Sequence, residues 1–157
     1  IEAGLILPLM LILLLGTLDT GEAILINQKT INATQMIGDL LGREDSVSTA
    51  ELNDAVEAGK LTMMPYSTQS FGVDIAGIQF VGGPNNPQVM WRHTVNMDPN
   101  ILILENADGL GADGDGVLGV TVSYTYTPYF SFVLTGAIEM SEVSYVRGRR
   151  GLYIPKV

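Results

Sequence analysis

A single carboxylate stands at the start of a long apolar segment. Glu2 is followed by a stretch from Ala3 to Leu18 that contains no charged residue. An ionised carboxylate in hydrocarbon is costly unless a cation pairs with it or a proton neutralises it. The nearest natural cation is an α-amino group of the same chain or of a neighbouring copy. We therefore predict that Glu2 fixes the register between copies during assembly; the alternative places it among lipid headgroups.

A second group of carboxylates lies in a loop rich in glycine. Asp108, Asp113 and Asp115 alternate with glycines between Asn106 and Gly116, as oxygen ligands do in calcium loops. The loop lacks the spacing of an EF-hand and its closing glutamate. Because aspartates can bind local backbone amides and glycine permits positive φ angles, we predict a surface turn without a metal.

The other residues with reactive side chains do not form a catalytic pattern. His93 is the only histidine, and strand alternation puts it on an apolar face beside Trp91 and Val95, where a hydrogen-bonded structural histidine is expected. The sequence has no cysteine, no phosphate-binding loop and no recognisable serine nucleophile motif. We predict no enzyme activity and no cofactor.

Composition narrows the classes of partner. The net charge is −9 with eight basic residues, which argues against a nucleic-acid surface. The length of 157 residues suits one globular domain behind a long helix.

The first element is a helix, residues 1–42. Its apolar part, Ala3–Leu18, makes a rod of about 24 Å, slightly shorter than the ~30 Å hydrocarbon core of a bilayer. Pro8 weakens this part by removing a backbone hydrogen bond. Farther along, apolar residues recur at three- and four-residue steps, so one face should lie against a domain. They are Ile26, Thr30, Ala33, Ile37 and Leu40 or Leu41. Gly42 is expected to end the helix in the left-handed conformation.

The remainder, residues 43–157, is predicted to be a β-rich domain with one short helix. That helix lies between Ser46 and Gly59, with a capping box formed by Ser48 and Glu51 at its start and with Gly59 as its stop. Period-two alternation then predicts four or five antiparallel strands. The expected features are a face shared by Phe71, Val73 and Ile75, a bulge near Gly77 after which Ile78 and Phe80 take over, a strand containing Val89–Met97, a brief strand Ile101–Leu104, a strand through Val120–Tyr126, and a strand near Ala137–Arg147 that shifts phase at Glu142. The predicted fold class is α+β.

Two carboxylates and three tyrosines near these elements are predicted to have structural roles. Asp19 and Glu22 share a helix face just beyond the apolar segment and are interpreted as an interfacial boundary. Tyr124, Tyr126 and Tyr129 are interpreted as core or interface packing rather than as a sugar-stacking surface.

Several segments together resemble one family. The stretch Glu2-Ala-Gly-Leu-Ile-Leu-Pro-Leu-Met-Leu-Ile-Leu-Leu-Leu-Gly16, followed by Asp19 and Gly21, resembles the N-terminus of TadE/TadG-like proteins. These are pilin-like components (pseudopilins) of tight-adherence (Tad) type IV pilus systems. Three later segments resemble the family in the same order: Val89-Met-Trp91, Gly116-Val-Leu-Gly-Val-Thr-Val-Ser-Tyr-Thr-Tyr-Thr-Pro128, and Tyr145-Val-Arg147 with Arg149-Arg150.

The resemblance implies a pilin or minor pilin of a bacterial extracellular filament. Its expected partners are copies of itself through the N-terminal helix, the pilus assembly machinery and prepilin peptidase, with the inner membrane as its location before assembly and the cell surface afterwards. The residues expected at the assembly contact are Glu2, Leu5, Pro8, Leu11, Leu15 and Asp19. Retention of the apolar segment behind Ile1 fits prepilin-type processing; the alternative is that the sequence as given simply starts there.

A second function class stays open at this point. A monomeric membrane-anchored envelope module or adhesin would use the same apolar helix as an anchor in lipid. The two classes differ in what covers that helix, copies of the chain or lipid.

Overall fold

The protein folds as a long helix followed by a four-stranded sheet. The structure, a computed structural model, describes residues 2–131, 133–148 and 153–157, without the side chains of residues 2, 3 and 5. Its elements are the helices α1 (Glu2–Leu41) and α2 (Thr49–Thr62), and the strands β1 (Gly72–Phe80), β2 (Pro87–Val95), β3 (Gly116–Tyr126) and β4 (Ile138–Val146). Two short 3-10 turns, Ile101–Ile103 and Glu105–Ala107, lie between β2 and β3. The predicted α+β class is confirmed.

All strand pairs in the sheet are antiparallel, in the order β2-β1-β3-β4. The main core lies between one sheet face and the two helices, which cover it with apolar side chains. A smaller cluster on the other face packs under the 3-10 turns. Its buried members are Ala76, Ile78, Ile103 and Ala107. β1 is therefore covered on both faces, and all of its residues but Gln79 are buried.

The second half of α1 lies on the sheet and α2, as its pattern predicts. Ile26, Ala33, Ile37 and Leu41 are buried, whereas the polar residues of the opposite face are exposed. Those polar residues are Gln28, Asn32, Gln35 and Asp39. The predicted amphipathic helix is confirmed.

Glycines permit close contacts along this seam. A Cβ built on Gly38 would lie 2.7 Å from a methyl carbon of Val146 in β4, and one on Gly42 would lie 2.6 Å from the other methyl. α2 approaches in the same manner, because a Cβ on Gly59 would lie 2.6 Å from the Ile37 side chain. Helix and sheet thus meet at distances that exclude a larger side chain.

Gly42 and Gly59 were predicted to act as helix stops, and the structure gives both glycines a different role. α1 does end beside Gly42, but Gly42 does not have a positive φ angle; the close approach of Val146 explains the glycine instead. α2 passes Gly59 and ends at Thr62, since Gly59 serves the contact with α1. The capping box at the start of α2 is confirmed, with the Glu51 carboxylate accepting from Ser48 N at 2.7 Å and the Ser48 hydroxyl accepting from Glu51 N at 3.3 Å.

The predicted bulge is present, but it lies in the partner strand. The register of β1 with β2 shifts between Gly77 and Ile78, which leaves Met90 of β2 as the extra residue. The register of β1 with β3 is continuous, so Ile78 faces the smaller cluster and does not take over the face of Ile75. The shift instead divides β2: Trp91 packs on the main core and Val89 on the smaller cluster.

Two predicted strand features are wrong. The segment Ile101–Leu104 is not a strand, because Asn100 starts a 3-10 turn there and its side chain accepts from Leu102 N at 3.0 Å. A buried carboxylate holds this turn, as Asp74 accepts from Asn100 N at 2.9 Å and lies 3.4 Å from the Arg92 guanidinium. Burial raises the pKa of Asp74, against the opposing effects of the Asn100 amide and the Arg92 charge.

The second strand feature that was predicted wrongly is the phase shift at Glu142. β4 pairs with β3 without interruption, from Leu118 opposite Val146 to Tyr126 opposite Ile138. Most side chains on both faces of β4 are half-buried. The sequence of this strand therefore alternates only weakly between apolar and polar residues.

Replacing Gly38 by alanine tests the close seam. Gly38→Ala should lower the free energy of unfolding by about 1–3 kcal/mol relative to Gly21→Ala, because its methyl overpacks the contact with Val146. Gly21 is the matched control: it lies in the same helix, gains the same helix propensity, and has no heavy atom within 4 Å of an added Cβ. Denaturant unfolding of the full chain in detergent, followed by the Trp91 signal, measures the difference. Equal stability of the two variants would show that the seam is not tight.

Candidate functional site

The first half of α1 is an apolar rod that the rest of the chain does not cover. Six consecutive residues, Leu9–Leu14, have between 41% and 64% of their surface exposed. Six residues exceed one helical turn of ~3.6 residues, so the whole circumference of the rod is uncovered. One helix among the described residues, Ile6–Leu41, is long and apolar enough to cross a membrane, and only 22% of its most apolar window is buried.

The predicted assembly residues divide into three groups. Pro8 and Leu11 lie on the exposed rod, and Leu15 is half-buried near its end. Asp19 is buried. The side chains of Glu2 and Leu5 lie outside the described part of the structure, so the pairing of Glu2 with an amino group stays a prediction.

Asp19 binds the loop that joins β3 to β4, here called the β3–β4 loop (residues 127–137, of which residue 132 is outside the described part). Only 1% of Asp19 is exposed. Its two carboxylate oxygens accept hydrogen bonds from Phe130 N at 3.3 Å and from Ser131 N at 3.0 Å. Ser131 has a φ angle of 53°, and its hydroxyl donates to the Pro128 carbonyl at 3.1 Å. The carboxylate thus holds a tight turn against the helix.

Sequence reasoning missed this contact. A carboxylate directly after an apolar run can mark the end of a membrane span or a buried hydrogen-bonding group. The partners of Asp19 are backbone amides, which every residue but proline carries, so the sequence does not identify them. Its place next to Leu18 was the only available signal.

The other polar side chains near the base of the rod also have partners within the chain. Thr17 donates to the Leu14 carbonyl at 2.7 Å, and Thr20 donates to the Gly16 carbonyl at 2.8 Å. Glu22 accepts a hydrogen bond from the Tyr126 hydroxyl at 3.3 Å. Burial, followed by the charges of Glu22 and Asp19, raises the pKa of Tyr126 to about 12. The Tyr126 hydroxyl therefore stays protonated, as its role as a donor requires.

A cavity beside Glu22 is lined by the aromatic residues of this region. Its volume is about 510 Å³. Its aromatic lining consists of Tyr66, Tyr124, Tyr126 and Tyr129. Tyr124 and Tyr126 are buried, which confirms their predicted packing role, whereas 76% of Tyr129 is exposed.

The acidic loop and the histidine have structural partners. Asp115 accepts from Ala112 N at 2.9 Å, which confirms for this residue the prediction that the aspartates bind local amides. Asp113 instead accepts at 2.7 Å from Gly82 N, which lies 31 residues away in the turn before β2. No three potential ligand side chains of the described residues come together as a metal site. The absence of a metal from the loop stays a prediction.

His93 lies beside α2, with Nε2 3.1 Å from the side-chain oxygen of Asn53. Burial and, to a smaller extent, the Lys156 charge lower the pKa of His93, which favours a neutral ring. This agrees with the predicted hydrogen-bonded histidine. Among the described residues, the hydrogen-bond partner of the His93 side chain is Asn53, which is neither a base nor a nucleophile.

Comparison of the chain with protein-family models, with curated proteins and with solved structures gives no match. The resemblance to the TadE/TadG-like family therefore stays a prediction from the motifs.

Removal of the Asp19 carboxylate tests its hold on the loop. Asp19→Ala should remove the charged acceptor of the part-buried amides of Phe130 and Ser131, and a hydrogen bond to a charged group contributes about 1.5–3 kcal/mol. Hydrogen exchange of the full chain in detergent should then show faster exchange in residues 127–131. Asp39→Ala, an exposed carboxylate on the same helix, is the control and should leave that exchange unchanged. Unaltered protection in Asp19→Ala would contradict the assigned contact.

Proposed function

We propose that the chain is a structural subunit, a pilin or minor pilin, of an extracellular Tad-type (type IV-like) pilus filament. The observation that carries the proposal is the uncovered circumference of the rod at Leu9–Leu14. In water such a surface is unfavourable, since burying one Leu or Ile side chain contributes about 1.5–3 kcal/mol. The rod therefore requires a cover, which lipid provides before assembly and copies of the chain provide afterwards.

The division of α1 supports a filament arrangement. The sheet and α2 cover only its second half, so the domain stays beside the rod and not around it. Rods from several copies can then bundle while their domains lie outside. Within this proposal the partners are other copies, the pilus assembly machinery and prepilin peptidase, and the inner membrane is the location before export.

A second candidate, a monomeric module anchored in a membrane, is favoured by one observation. Close helix–helix contact in lipid uses small residues at the interface. Between Ile6 and Leu14 the rod carries large apolar side chains and Pro8, and the glycine that follows, Gly16, is covered by Val133. Lipid chains suit such a surface as well as neighbouring helices do.

A charge on the rod separates the two candidates. In the cells that make the protein, sheared surface material should contain filaments that include the chain, and Leu11→Glu should abolish them. A carboxylate at the centre of a membrane helix costs only ~2.5–3.5 kcal/mol, which still permits insertion. A packed bundle would bury one unpaired charge in every subunit, at a cost of about 3–5 kcal/mol each. Leu61→Glu, at an exposed apolar residue of α2, is the control.

Electron microscopy of the sheared fraction, with antibody detection of the chain, is the measurement. Filaments that persist in Leu11→Glu would contradict assembly through the rod. If the unaltered chain stays wholly in the membrane fraction and no filament contains it, the anchored module is the correct function.

The Glu2 carboxylate has its own test within this proposal. Glu2→Ala should leave the domain folded but reduce incorporation into filaments, because loss of one partner of a desolvated pair costs about 3–5 kcal/mol. Glu139→Ala removes an exposed carboxylate of β4 and should assemble normally. Quantitative blotting of sheared filaments against total protein gives the ratio. A normal ratio for Glu2→Ala would rule out the assembly role of Glu2.

A further inference from the structure

The β3–β4 loop is fixed at the base of the rod by two contacts. Val133 packs directly on Gly16, where a Cβ would overlap the valine side chain. One helical turn farther on, Asp19 holds the amides of Phe130 and Ser131. Both contacts fall where the charge-free segment of α1 ends. The loop therefore has a defined level along the helix axis.

Although it is held on the helix, the loop exposes apolar side chains. The exposed fractions are 76% for Tyr129, 45% for Phe130 and 52% for Val133. A groove of about 390 Å³ runs between Val133 and the helix, lined by Leu13 on the rod side and by Ile24 on the domain side. The exposed surface of the loop is thus continuous with that of the rod.

The polar side chains of the helix at this level have hydrogen-bond partners within the chain. The hydroxyls of Thr17 and Thr20 and the carboxylates of Asp19 and Glu22 each have a hydrogen-bond partner in the chain. Side chains that are hydrogen-bonded within the chain cost less to place near hydrocarbon than side chains without such partners. The loop backbone lies outside the strands, so it suits the polar lipid interface and not the hydrocarbon core, where irregular backbone exposed to lipid does not occur.

We propose that the β3–β4 loop is a second membrane contact, with Tyr129, Phe130 and Val133 inserted into the lipid interface beside α1. The inference rests on the membrane-bound stage of the proposed function. The segment Ala3–Leu18, about 24 Å long, spans most of a ~30 Å hydrocarbon core. The loop, docked at Gly16 and Asp19, then lies at one end of that span, the level at which aromatic residues are enriched in membrane proteins.

Lipid, and not a second copy, is the occupant because the loop continues the surface of the membrane-compatible helix at the depth of the interface. The contact would orient the domain on the membrane. A single helix leaves a domain free to turn about the helix axis, whereas a second insertion point beside it fixes one side of the domain against the bilayer.

The absence of cysteine from the sequence permits a direct test with single spin labels. Phe130→Cys, Met10→Cys and Met90→Cys are labelled with a nitroxide in the full chain, reconstituted into vesicles of phosphatidylethanolamine and phosphatidylglycerol. Met10 on the rod and Met90 on β2 are exposed references for lipid and for water. Collision with oxygen, which concentrates in lipid, and with a water-soluble nickel complex is then measured at each position.

We expect the label at residue 130 to be shielded from the nickel complex several-fold relative to the label at residue 90, and less than the label at residue 10. Tyr129→Cys should agree with it. Adding Asp19→Ala should release the loop and restore access of the nickel complex at residue 130, while residue 10 stays in lipid.

Equal nickel access at residues 130 and 90, with residue 10 in lipid, would overturn the proposal and leave membrane anchoring intact. Nickel access at residue 10 as well would instead contradict the membrane stage of the proposed function. Spin–spin broadening at residue 130 that disappears on dilution with unlabelled chain would show a second copy on the loop, which also overturns the lipid contact.

Discussion

The contact between the second half of α1 and the sheet is the constraint on which the other features depend. Ile26, Ala33 and Ile37 are buried in that contact, and Gly38 brings the helix close to β4. Because the helix is continuous from Glu2 to Leu41, fixing its second half on the domain also fixes the direction of the rod. The loop between β3 and β4 can reach the base of the rod only because both strands lie under the same helix.

Burial of Asp19 follows from this arrangement. A carboxylate removed from water needs strong hydrogen-bond donors, and the left-handed turn at Ser131 presents two backbone amides to it. The neighbouring hydroxyls bond to carbonyls of their own helix, and Glu22 is bonded by Tyr126. Between the apolar rod and the domain there is thus a short zone in which each polar side chain of the helix has a hydrogen-bond partner within the chain.

The sequence predicted features that depend on periodicity and local chemistry. Helical spacing identified the buried face of α1, and Ser48 with Glu51 identified the start of α2. The strand that holds the bulge could not be predicted, because β1 is buried on both faces and its pattern does not distinguish them. Ile101–Leu104 was misread as a strand since its apolar residues resemble one, although Asn100 caps a turn there and Ile101 is 86% exposed. At the candidate site, the apolar rod was evident from composition, whereas the partners of Asp19 are main-chain groups that composition does not reveal.

The continuity of α1 has a mechanical consequence. A pull on the rod along its axis is transmitted through one continuous helix, with Pro8 inside it, into the segment that packs on the sheet. It therefore acts as shear along the seam, where the side chains from Ile26 to Leu41 resist it together, and does not peel contacts apart one after another. The glycines at 38 and 42 add steric interlock, since Val146 sits directly against both and opposes sliding. Tension along the rod is thus carried by the whole length of the seam.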